Sequence, residues 1–142
     1  MVVLDTDHMS LLQRGGAEGQ HIRRRLRTVP PDDVATTVIS YEEQTRGWFA
    51  RLARASTPEH QIYDYGQVKN LLRDYCKIAV LDFDTNAAAE FQRLRDAKIR
   101  VGTMDLKIAA ISLANNATLL TRNRTDFGRV GGLRTEDWSL ST

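Results

Sequence analysis

Residues 1–10, MVVLDTDHMS, decide the fold: three aliphatic residues, Val2, Val3 and Leu4, run straight into Asp5. An apolar run without polar alternation suits a strand covered on both faces, as in a parallel sheet flanked by helices. The pattern returns at residues 34–39 (VATTVI), 78–81 (IAVL) and 117–121 (ATLLT). Longer helical patterns fill the intervals. Thr57-Pro58-Glu59 reads as an N-cap, a first-turn proline and an acid suited to the helix dipole. Beyond it Tyr65, Val68, Leu72 and Tyr75 recur at helical spacing. Asp84 caps a further helix in which Ala87, Phe91, Leu94 and Lys98 share a face. Residues 104–115 (MDLKIAAISLAN) are apolar nearly all round, which predicts a helix buried against a sheet. The alternation predicts an α/β fold of three layers, a central parallel sheet flanked by helices, with a weak last strand after Leu133.

Length and composition agree with one domain over residues 1–142. The chain has 142 residues, 42% hydrophobic and 27% charged, too apolar and too balanced for a disordered chain. Only residues 15–19 (GGAEG) read as a flexible break. The single cysteine, Cys76, builds neither an internal disulfide nor a thiolate metal site, and it reads as a small buried hydrophobe. Polar residues follow the N-terminal apolar run too early for a signal peptide, and no run reaches membrane-spanning length. A cytoplasmic location is expected. The net charge of +2 excludes a partner held by bulk electrostatics but leaves local patches open.

Open parallel sheets bind ligands beyond the carboxyl ends of their strands. The residues expected there are acidic. Asp5 follows the first strand, Glu42 and Glu43 open the helix after the second, Asp105 lies in the first turn of the buried helix, and Asp126 follows the strand ending near Thr121. Each alone has a bland reading, as a cap or a solvated loop residue, that stands level with a functional one. Together on one edge they repel one another, and a hard divalent cation such as Mg²⁺ or Mn²⁺ relieves the conflict. Such ions support phosphodiester hydrolysis.

These segments resemble the four motifs of a PIN-domain ribonuclease of the VapC toxin type. VVLDTDHMS resembles the first motif, with Asp5, Thr6, Asp7 and Ser10 in its positions. ISYEEQTRG resembles the second, and counting back from Gly47 selects Glu43. GTMDLKIAA resembles the third and gives Asp105, while LLTRNRTDF resembles the fourth and gives Thr121, Asn123 and Asp126. The likeness runs from residue 2 to the GGLRTEDW segment, where Leu133 and Trp138 read as packing residues.

The resemblance implies a Mg²⁺-dependent endoribonuclease that uses metal-activated water, with Asp5, Glu43, Asp105 and Asp126 as metal-binding and catalytic residues. Thr6, Thr121 and Asn123 would orient them, and Ser10 would either help hold the acids or end the first turn. Asp7 stands where the family usually has Asn; it reads first as a helix cap and second as an extra outer carboxylate that adds attraction for the metal. The family further implies an antitoxin of the VapB kind as partner, homodimers, and structured RNA as substrate, most often tRNA.

Basic residues crowd the acids. Arg46, Arg122 and Arg124 are the candidate phosphate contacts, while Arg23, Arg24, Arg25 and Arg27 share one helix. Removing the four acids leaves 14 against 20 bases, so the rest of the chain is more basic than the total suggests. His8, His21 and His60 lack zinc-site spacing and read as surface or satisfied histidines. Trp48 and Phe49 read mainly as core, with an interface for a partner helix as the second reading. Two alternatives remain. One is a catalytically degenerate PIN fold that binds RNA or protein. The other is a haloacid-dehalogenase-type phosphohydrolase, whose first motif VVLDTDHM imitates, though Met9 stands in place of its Thr.

Overall fold

The computed structural model describes residues 1–141. Five short strands, β1 (Val2–Leu4), β2 (Val34–Thr37), β3 (Ala79–Leu81), β4 (Thr118–Leu120) and β5 (Arg134–Glu136), form one wholly parallel sheet. Their spatial order is β3-β2-β1-β4-β5. The chain therefore winds to one side of β1 and then to the other, which places a topological switch point between β1 and β4. Val3 lies level with Ala35 on one side and Leu119 on the other.

Helical hairpins link the strands: α1 (Thr6–Arg14) with α2 (Ala17–Leu26), α3 (Val38–Arg54) with α4 (Pro58–Cys76), and α5 (Thr85–Asp96) with α6 (Thr103–Ala114). A four-residue helix, α7 (Arg124–Phe127), precedes β5. Alternate strand residues enter two separate cores, as the pleat requires. Val3, Ala35 and Leu119 join α5, α6 and Phe127 on one face. Leu4 and Leu120 join Met9, Leu11, Ile22, Leu71 and Trp138 on the other. Each fully buried Leu stabilises the fold by about 1.5–3 kcal/mol relative to exposure. The expected three layers are present.

The caps fall where the residue types predict. Thr57 accepts from the His60 amide and Asp84 from the Ala87 amide. β2 is shorter than the expected 34–39, because the Thr37 hydroxyl accepts from the Ser40 amide and starts α3 there. The last strand does form after Leu133.

Five expectations need correction. Residues 15–19 make a tight corner, not a flexible break. Gly15 adopts the left-handed φ of 73° that ends α1, and a Cβ on Gly19 would lie 2.3 Å from the Leu11 carbonyl oxygen. The buried face of α4 is Asp64, Leu71 and Tyr75, whereas Tyr65 and Leu72 are exposed. Asp64 turns inward because Arg51 of α3 compensates it at 3.2 Å. Cys76 is exposed, since Tyr75 takes the inward position one residue earlier. Phe49 is also exposed, while its neighbour Trp48 packs half-buried against the second core. Lys98 lies beyond the end of α5, in a left-handed turn.

Candidate metal centre

Four carboxylates gather beyond the carboxyl ends of β1 and β4, each held by a different device. Asp5 is the N-cap of α1: its Oδ1 accepts from the His8 amide at 2.7 Å, and its own amide donates to the Leu120 carbonyl across the sheet. The residue is only 6% exposed. Glu43, one turn into α3, accepts a 2.6 Å hydrogen bond from the Thr6 hydroxyl, which also lies 3.0 Å from the Ser40 hydroxyl. Glu42 points elsewhere and pairs with Arg46. Asp105 occupies the first turn of α6, behind the uncapped Gly102. Asp126 is the third residue of α7, where the Asn123 side chain caps its amide and donates to its Oδ2, while Arg129 reaches Oδ1.

The charges of the other three acids reach Asp105. Burial first, and then the charges of Glu43, Asp5 and Asp126 in that order, push the Asp105 carboxyl up to about 6. Asp5, Glu43 and Asp105 form no ion pair with Lys or Arg among the described residues. Buried, mutually repelling carboxylates without a counter-charge suit a hard divalent cation. The ring is open, and among the described residues only Asp5, Asp7 and His8 offer ligand atoms all within 4.8 Å of one another. An ion that keeps several waters and takes one or two carboxylates directly fits such spacing.

Asp7 and His8 are otherwise engaged. Asp7 is not the expected cap, because Asp5 has that place. It makes a bidentate pair with Arg122 at 2.6 and 2.9 Å, and this hydrogen-bonded guanidinium lowers the Asp7 carboxyl pKa. His8 is fully buried, its Nε2 accepting from the Trp138 amide at 3.2 Å. Its Nδ1 therefore carries the ring proton, 3.6 Å from Asp5 Oδ1 and without a hydrogen-bond partner. Sequence reading missed this histidine's link between the C-terminal segment and Asp5. Its position three residues after Asp5, on the inner face of α1, was the available signal.

The remaining candidates divide. Thr6 touches Glu43 directly. Thr121 is buried and accepts from the Asn123 amide, so it acts on Asp126 through Asn123. Ser10 touches no acid, and its hydroxyl accepts from Gln44 instead. Arg122 is held over the rim by Asp7, Arg124 is exposed at the start of α7, and Arg46 is tied to Glu42. Of the arginine-rich α2, Arg25 stacks on Trp138 and reaches Glu136.

A parallel α/β sheet with uncompensated carboxylates at its switch point defines a class of protein suited to holding a divalent cation beside a phosphate. The PIN-domain profile matches residues 2–133, and the chain belongs to the PIN-domain family, which sets aside the haloacid dehalogenase reading. Over 67 residues the chain is 42% identical to the tRNA(fMet)-specific endonuclease VapC of Shigella flexneri, a match covering 44% of this chain and 51% of that protein. The chain spans about half the length of the curated relatives it matches. The fold resembles VapBC-1 from nontypeable Haemophilus influenzae, with a TM-score of 0.78, 23% identity, and coverage of 99% of this chain and 100% of that one. It also resembles a toxin-antitoxin complex from Klebsiella pneumoniae, with a TM-score of 0.68, 20% identity, and coverage of 94% and 95%. No helix among the described residues is long and apolar enough to cross a membrane.

Proposed function

We propose that this chain is a Mg²⁺-dependent endoribonuclease, the toxin of a toxin–antitoxin pair, acting on structured RNA, with tRNA as the favoured class. The observation that supports this best is the convergence of Asp5, Glu43 and Asp126 on Asp105, expressed in that residue's raised pKa. The half-length likeness to endonucleases whose names specify tRNA(fMet) supports the substrate class. The neighbouring solved complex described as toxin-antitoxin supports a VapB-like partner. A homodimer in the cytoplasm completes the reading.

Asp5, Glu43, Asp105 and Asp126 would hold the ion, directly or through water, with Mn²⁺ as a substitute for Mg²⁺. When bound, the ion supplies charge neutralisation at the phosphodiester and a more acidic water. The protein's own groups do the positioning. The Thr6 hydroxyl fixes one Glu43 oxygen, and the α1 cap fixes one Asp5 oxygen. Asn123 and Arg129 orient Asp126. Without a cation Asp105 retains a proton on its carboxyl near pH 6 and relieves the crowding of charge. Arg122 and Arg124 stand at the rim to contact backbone phosphates without reading bases.

The test is incubation of the purified chain with total RNA and Mg²⁺ or Mn²⁺, followed by mapping of new 5′ ends. Discrete new ends within one RNA class are expected. RNA left intact under both metals contradicts the reading.

A further inference from the structure

Glu43 forms part of the wall of a cleft of about 830 Å³ between α1, α3 and α4. Its far wall is one stripe of α4, Tyr63, Gln67, Asn70 and Asp74, at the i, i+4, i+7, i+11 spacing of a single helix face. This stripe runs beside the face whose Leu71 and Tyr75 turn into the core, and it is aromatic at one end and polar along the rest. Gln67 and Asn70 spend no hydrogen bond within the described chain. Gln44 on the α3 wall, by contrast, is fully engaged with Ser10, Gln13 and Tyr75.

The aromatic end is built as a platform. The Trp48 and Tyr63 rings meet edge to face at 6.1 Å, and Arg51, anchored by Asp64, lies over both. Gly47 faces the same space, and a Cβ there would meet nothing within 4 Å, so packing does not require its glycine. The opposite rim carries Arg14, exposed and in no ion pair among the described residues.

We infer that this cleft binds an unpaired nucleotide of the RNA next to the cut phosphodiester and selects its base. Trp48 and Tyr63 offer the stacking surface that single-stranded recognition uses. The free amides of Gln67 and Asn70, with the Asp74 carboxylate, can match a base's donors and acceptors. Arg14 offers a phosphate contact. Because Thr6 and Glu43 line both the cleft and the acidic ring, a nucleotide seated here places its phosphate at the acids. This rests on the nuclease reading for the identity of the polymer. The polar, partner-free wall favours a nucleotide over a protein segment.

The probes are homopolymeric RNA tetramers of A, C, G and U, titrated into the full chain in EDTA while Trp48 emission is followed. A Trp48→Phe variant assigns the signal, since Trp138 is buried. Saturable quenching is expected, with affinities that differ among the bases. The Gln67→Ala/Asn70→Ala double variant is expected to lose about fivefold or more for the preferred base and to level the differences. Both residues are solvent-accessible, so the variant should fold. Absent quenching, or unchanged affinities in the double variant, overturns the inference and leaves a protein segment as the occupant. No cleavage enters the measurement. Base-selective binding by a chain that cuts no RNA would therefore keep this inference and sink the nuclease, and cleavage by a chain blind to the bases would do the reverse.

Discussion

In the first turn of α6, half-buried, Asp105 has a carboxyl pushed up to about 6 by burial and by three neighbouring acids. A folded-state pKa above the ordinary 3.8 means that the folded chain holds the proton more tightly than the unfolded one. That stability is present below about pH 4 and is lost as the pH rises through about 6. In EDTA, wild type should therefore melt progressively lower than Asp105→Asn between pH 4 and pH 7, a comparison that thermal scans of both chains provide. At pH 7 a tenfold excess of Mg²⁺ over its Kd should restore wild type by about 1.4 kcal/mol, or about 3–5 °C, and leave the variant behind. Asp7 is the contrasting case. Its pair with Arg122 is 38% and 44% exposed, so Asp7→Asn should cost under about 1 kcal/mol and keep the Mg²⁺-dependent rise in melting temperature. Loss of that rise in Asp7→Asn would make Asp7 a ligand.

At the scale of elements, the site hangs on short pieces fastened by single residues. Phe127, 1% exposed, anchors the four-residue α7 that carries Asp126. Phe127→Ala should cost about 3–5 kcal/mol by urea denaturation and weaken cleavage beyond the loss of folded protein. The strands, the caps at Thr57 and Asp84, and the buried α6 were all legible, because unbroken apolar runs and capping residue types report local physics. The face of α4 was not legible. Tyr and Leu lie on more than one side of that helix, and the inward side was chosen by Arg51, a residue of another element that permits Asp64 to be buried. The corner at residues 15–19 failed for a related reason: Gly19 is demanded by the Leu11 carbonyl, a tertiary contact that composition does not show. The four acids were legible as an edge of the sheet. The pairing of Asp7 with Arg122, 115 residues apart, was not.

For the whole molecule, a parallel sheet with its strand order reversed at β1 brings acids from four distant segments to one place. Outside those four acids the chain carries 20 basic residues against 14 acidic ones. Binding to RNA should accordingly weaken as salt rises, with a log–log slope of about −0.7 to −0.9 for each phosphate contacted, and Arg124→Ala should reduce that slope by about 1. Fluorescence anisotropy in EDTA across a salt series measures both. The most direct measurement compares cleavage of one mapped RNA by wild type with Mg²⁺, by wild type with EDTA, and by Asp105→Asn with Mg²⁺. Cleavage by the first alone, with the variant at least about a hundredfold slower, is the predicted result. Equal cleavage by wild type and Asp105→Asn, or cleavage that survives EDTA, would contradict a metal site built from these four acids.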